Sequence, residues 1–152
     1  MTSSELKLIF GRYAIANGFQ PVKSGWLYLN NSMQVFVFLQ LSKVRWGNAF
    51  HVWTKIYVDG LFGWGVSDLT TVPSRQPHLF HVEQNKFKDV FDLDNDIVDD
   101  DRIKGISEYF SEIQVNYIDK CFSKNGFQLL STEKKLFVTP PVQQGLIELG
   151  LW

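Results

Sequence analysis

Two helical patterns flanking a strand-rich middle predict an α+β fold, with an antiparallel sheet and helices packed mainly on one of its faces. Three observations carry this expectation. Apolar residues recur at helical spacing over 4–16 and again over 100–124, and β-branched and aromatic residues alternate between 25 and 58.

The first helix opens near Ser3 and Ser4, whose hydroxyls suit an N-cap. Leu6, Ile9, Phe10, Tyr13 and Ala14 form its apolar stripe, and Asn17-Gly18 ends it. Strands are expected over 25–29, 33–45 and 50–58, with a turn at Asn30-Asn31-Ser32. Gly47-Asn48 suits a two-residue hairpin turn. Counting outward from it sets Trp46 opposite Ala49, Ser42 opposite Trp53, Gln40 opposite Lys55 and Phe38 opposite Tyr57.

That register gives the hairpin two unlike faces. Val35, Val37, Leu39, Leu41, Val52, Thr54, Ile56 and Val58 form an aliphatic face that belongs in the core. Phe36, Phe38, Gln40, Ser42, His51, Trp53, Lys55 and Tyr57 form an aromatic and polar face, with Asp59 next along the strand.

Gly60 to Gly65 reads as a loop and 66–72 as an edge strand, and Pro73 and Pro77 block a long regular element after it. Asp99-Asp100-Asp101 opens the long second helix, where acidic side chains complement the helix dipole. Its stripe is Ile103, Ile106, Phe110, Ile113, Tyr117 and Cys121, and Asn125-Gly126 is its expected stop. A last strand is expected over 136–139, and Pro140-Pro141 starts a C-terminal helix. Asn-Gly-Phe-Gln occurs at both 17–20 and 125–128, but the flanks do not match and no repeat is implied.

At 152 residues, 45% of them apolar, the chain fits one domain spanning 1–152 with a packed core. Fifteen basic residues against sixteen acidic ones leave a net charge of −1, without the basic stripe that phosphate neutralisation demands, so nucleic acid is not expected as a partner. Cys121 is the only cysteine, which excludes an intrachain disulfide and fits a reducing compartment. Neither a signal peptide nor a membrane span is legible, so a soluble, cytoplasmic protein is expected.

Catalytic and metal motifs fail on inspection. Asp92, Asp94 and Asp96 have the spacing that opens a calcium loop, but Ile97 replaces the turn glycine and Ile103 the bidentate glutamate. His78 and His81 lack the further ligands of a zinc site unless His51 joins them. Cys121 lies on the apolar stripe near a helix C-terminus, away from anything that would lower its pKa. Neither a nucleophile elbow nor a metalloprotease helix is present, and Gly60, Gly63 and Gly65 lack the lysine of a phosphate loop. Neither a metal nor a cofactor is expected. Arg75 beside Gln76 and Pro77 could meet a carboxylate or form a surface ion pair.

The binding-site expectation therefore rests on the aromatic sheet face, Phe36, Phe38, Gln40, Ser42, His51, Trp53, Lys55 and Tyr57, which joins large apolar area to hydrogen-bonding groups. It would take a protein partner or small ligand if open, or be ordinary core if covered. The function expected is a non-catalytic binding or protein-interaction module, an accessory or immunity-type partner of another protein. The alternative is an enzyme using Arg75, His51, His78 or His81 with the acidic loop.

The order of several segments also resembles the domain-of-unknown-function family 4304 of small, mostly bacterial proteins. The carrying residues are Asn17-Gly18-Phe19 before Trp26, then Gln40-Leu41-Ser42 and Trp46-Gly47-Asn48. The stretch from Ile56-Tyr57-Val58-Asp59-Gly60 through Leu61-Phe62-Gly63 continues it, with Arg75-Gln76-Pro77 and Asp92-Leu93-Asp94. Trp53 departs from the pattern, where a polar residue, often Asn, is expected. The resemblance implies no substrate and transfers no functional residue.

Overall fold

A computed structural model of the chain describes residues 1–29, 34–63, 79–80 and 85–152. It has the α+β architecture expected. Helix α1, Ser3–Ala16, opens on Thr2 rather than on Ser3 or Ser4. The Thr2 hydroxyl accepts from the Glu5 amide at 3.2 Å, and the Glu5 carboxylate accepts from the Thr2 amide at 2.7 Å. This reciprocal box needs a glutamate three residues past the cap, and among the candidates only Thr2 has one. Leu6, Phe10 and Ala14 are buried, with Ile9 and Tyr13 packed against the same core. Gly18, at φ +86°, supplies the left-handed turn that ends the helix.

Among the described residues, five antiparallel strands come next, in sequential order: β1 Gln20–Val22, β2 Gly25–Leu29, β3 Val35–Lys43, β4 Phe50–Val58 and β5 Leu79–Phe80. Pro21 sits in β1, the edge strand, where its missing N–H costs no ladder bond.

The β3–β4 pairing differs from expectation by two residues. Ser42 faces His51, Gln40 faces Trp53, Phe38 faces Lys55 and Phe36 faces Tyr57. Lys43 pairs with Phe50 and the Val44 amide bonds the Ala49 carbonyl, so the tip is a four-residue loop, 45–48. The reason is tertiary. Asp94 accepts from the Asn48 amide at 2.8 Å and from its side-chain amide at 3.0 Å, while Ala49 bridges Asp92. Asn48 is thus held by another part of the chain and is unavailable to a two-residue turn. These bonds also hold the Asp94 carboxyl below the usual carboxylate range. A slip of two preserves the pleat, so every residue keeps the face assigned to it. Val35, Val37, Leu39, Val52, Thr54, Ile56 and Val58 are buried on the aliphatic side, Leu41 partly so.

Helix α2, Asp99–Ile113, packs across α1 and that face. It is one piece of the long helix expected over 100–124. The backbone widens into a π-helical stretch, Gln114–Ile118, then continues as α3, Asp119–Cys121. Asn125 takes the left-handed conformation, but as the joint into α4, Gly126–Thr132, not as the stop of the preceding helix. Residues 136–139 form no strand of the sheet, although Leu136 is buried. Helix α5, Pro140–Glu148, begins on its prolines as expected. The turn at 30–32 and the strand at 66–72 lie outside the described residues.

Ile106, Phe110, Ile113, Tyr117 and Cys121 are all buried, and Ile103 is half-buried. Burial pushes the Cys121 thiol up to about 12. Its labelling by a disulfide reagent at neutral pH is expected to be slower than in the unfolded chain by roughly a hundredfold or more. A fast stoichiometric reaction without denaturant would remove Cys121 from the core.

Candidate functional site

The aromatic sheet face exists as a face but is divided. Phe36, Phe38 and Tyr57 are buried with Leu27 in a second apolar cluster, against which Val22 and Leu29 pack. The three aromatic side chains are therefore covered rather than exposed, and Leu27 and Leu29 of β2 lie beside Phe38 and Phe36 on the same side of the sheet. Burial pushes the Tyr57 phenol up to about 12. Lys55 spans the boundary, its ammonium 5.9 Å from the Phe38 ring centre and bonded to Gln40 at 3.3 Å. Partial burial lowers its pKa. Gln40 and Ser42 are half-buried. His51 and Trp53 are exposed, Trp53 by 44%, with ring centres 6.1 Å apart. Arg75, His78 and His81 lie outside the described residues, so the alternative catalytic set is represented here by His51 alone.

The acidic loop has a different occupant from the one its spacing invites. Arg102, on the first turn of α2, is only 2% exposed. Its guanidinium donates to the carbonyls of Asp89 at 3.2 Å, Val90 at 2.6 Å, Asp92 at 2.8 Å and Ile97 at 3.4 Å, and to the Asn95 side-chain oxygen at 2.8 Å. A buried cation in this loop is thus supplied by the chain. The Asp92 carboxylate accepts from the Asp94 amide and the Asp94 carboxylate clasps Asn48, so the aspartates tie the loop to the hairpin tip. Among the described residues, His, Cys, Asp and Glu nowhere gather in a group of three able to hold a metal.

Fixing this loop leaves a cavity beside it of about 450 Å³. It lies where the β3–β4 hairpin parts from α2. Val44, Ala49, Phe50, His51 and Val52 come from the hairpin. Phe87 and Phe91 end two short 3-10 turns, Asn85–Phe87 and Asp89–Phe91, and Lys88 and Asp92 follow them directly. Tyr109, Glu112, Ile113 and Tyr117 come from α2 and the π-helical stretch.

Most of these wall residues are apolar or aromatic and buried. Phe87 and Phe91 meet Tyr109 edge to face, with ring centres 5.5 and 5.4 Å apart, an arrangement that fixes the rings against one another. The Tyr109 hydroxyl shares a 3.4 Å hydrogen bond with Thr54 on β4. Tyr117 owes its place to the wide π turn, a feature that recurs at functional sites and that Gln114 braces by donating to Asp119 at 2.7 Å. The Tyr117 hydroxyl has under 1 Å² of accessible surface, so the ring and not the hydroxyl faces the cavity. Burial, with the Glu112 charge nearby, pushes that phenol up to about 12.

Among the described lining residues, the charged side chains Lys88, Asp92 and Glu112 are exposed or half-buried, and His51 is exposed. Glu112 is hydrogen-bonded and ion-paired to Lys86, whose ammonium also lies 5.1 Å from the Phe87 ring centre. The contact raises the Lys86 pKa and joins the first 3-10 turn to α2 beside the cavity. Lys88 and Asp92 complete the charged rim.

Sequence reading named two of its lining residues, His51 and Asp92, as candidates but did not assemble the site. Its signal was dispersed: Phe50 and Val52 read as core strand, Ile113 and Tyr117 as helix stripe, and Phe87 and Phe91 fell in an unassigned stretch. In comparisons with family models, curated proteins and solved structures, the chain matches none.

Proposed function

We propose that this chain is a non-catalytic binding protein and that its site is the cavity between the hairpin end, the paired 3-10 turns and α2. One observation carries the reading: a preformed space of about 450 Å³ with five phenylalanine and tyrosine rings in its walls and, among the described residues, charged side chains only where the wall is exposed or half-buried. Small-molecule sites are typically apolar hollows of ~300–1,000 Å³ with a few polar groups placed around them. Of the lining side chains that could transfer protons, Tyr117 is shifted away from neutrality and Glu112 is engaged by Lys86, while His51 stands on the exposed side. A second reading, contact with a protein partner, is supported by Trp53 and His51 standing exposed side by side, with Trp46 81% exposed at the hairpin tip. Kinship with family 4304 remains a proposal too. Two of the segments that carry the resemblance, Trp46-Gly47-Asn48 and Asp92-Leu93-Asp94, meet in the structural clasp at the tip. Among the described residues, no helix is long and apolar enough to cross a membrane.

The neutral fluorescent dye N-phenyl-1-naphthylamine separates the two readings. It should bind with a Kd of roughly 1–100 μM, as ~0.3–0.5 kcal/mol per heavy atom gives for a molecule of that size. Ile113→Trp, and independently Ala49→Trp, should weaken it by about tenfold or more by filling the space. Trp53→Ala should leave it unchanged. Dye binding lost in Trp53→Ala and kept in both filling variants would return the site to the sheet face.

A further inference from the structure

The cavity's size and lining also define what it would hold, an inference that rests on the binding reading of that cavity. We propose that its ligand is a neutral, planar molecule of two or three fused or linked rings, bound without a charged group inside.

The size comes from volume. A dry apolar cavity of ~150 Å³ accommodates one benzene. A space of about 450 Å³ is three times that. It has room for two rings with margin and for three when filled, whereas a single ring would leave most of the walls without contact.

Planarity comes from the walls. Phe50, Phe87, Phe91, Tyr109 and Tyr117 belong to three separate parts of the chain and line one space. The edge-to-face contacts of Phe87 and Phe91 with Tyr109 hold those rings at 90° and 86° to it. Rings set across one another offer both edges and faces to a guest. A flat aromatic guest gains from both, beyond the area it buries, and loses little entropy on binding. A flexible chain of equal carbon number gains the area alone and must give up its rotamers.

Neutrality comes from where the charges are. Among the described residues, His51, Lys88, Asp92 and the Lys86–Glu112 pair stand on the exposed or half-buried parts of the wall and supply both signs, so neither sign of ligand is selected there. Among the described lining residues, the buried ones are apolar or aromatic and none carries a charge, the Tyr109 hydroxyl is bonded to Thr54, and the Tyr117 hydroxyl has almost no accessible surface. An ionised group carried inside would lose hydration without a charged partner among those buried residues to replace it.

Competition against N-phenyl-1-naphthylamine on the native chain tests each part. 2-Naphthol is the reference, 1-decanol the chain of equal heavy-atom count, and 2-naphthoate and 2-naphthylmethylammonium its two charged counterparts. At neutral pH, 2-naphthol should compete about tenfold or more better than either ion, because an unpaired charge is costly to bury. It should also outcompete 1-decanol by at least about fivefold. If either ion equals or exceeds 2-naphthol, neutrality is overturned. If 1-decanol does, the ring preference is overturned. In both cases the dye still binds and the binding reading stands. If neither the dye nor any of the four compounds binds, the binding reading falls and this inference falls with it.

Discussion

Arg102→Met is expected to be the most destabilising single substitution in the acidic loop, costing about 3–5 kcal/mol in denaturant unfolding. Methionine keeps much of the length and apolar packing of the arginine stem, so the loss isolates the guanidinium. Five oxygens, those of Asp89, Val90, Asp92, Asn95 and Ile97, would lose their common donor. Each buried acceptor left unmet costs ~1–3 kcal/mol, reduced wherever water enters. Because the same loop holds the hairpin tip through Asp94 and Asn48, the damage should reach the cavity. Arg102→Lys, with fewer donors and no planar fork, should fall between the two. A midpoint for Arg102→Met within ~0.5 kcal/mol of the native chain would mean that desolvating the guanidinium costs as much as its hydrogen bonds return.

Phe110→Ala should cost ~3–5 kcal/mol by cavity formation, measured in the same way. Its ring lies 4.9 Å from Phe10, 5.4 Å from Tyr109, 6.2 Å from Tyr13 and 6.2 Å from Phe19, centre to centre. It therefore joins α1, α2 and the segment leading into β1. Neighbours held by several ring contacts cannot collapse far into the space, which places the cost at the upper end of the usual range. A loss below ~1.5 kcal/mol would show that the core repacks around the missing ring.

The two variants also separate kinds of information. Phe110 was legible because Ile106, Phe110, Ile113, Tyr117 and Cys121 recur at helical spacing, and periodicity survives without knowledge of any partner. Arg102 was not. Four of its acceptors are backbone carbonyls, which every residue possesses, so nothing in the residue types around it marks a cage. The π-helical stretch escaped for a related reason: one extra residue in a turn leaves a stripe that still reads as helical. The capping box on Thr2 was available from Glu5 alone and was passed over for the adjacent serines.

By itself the sequence determined the α+β class, the two faces of the β3–β4 hairpin and the apolar stripe of α2, because alternation and helical period are local properties of side chains. Tertiary structure decided the rest. It set the hairpin tip at four residues, since Asp94 holds Asn48 from 46 positions away. It split the aromatic face into a buried end and an exposed end, since burial depends on what packs above a strand. It made the cavity, whose walls come from segments that share no local pattern, beside the acidic loop that Arg102 holds against α2.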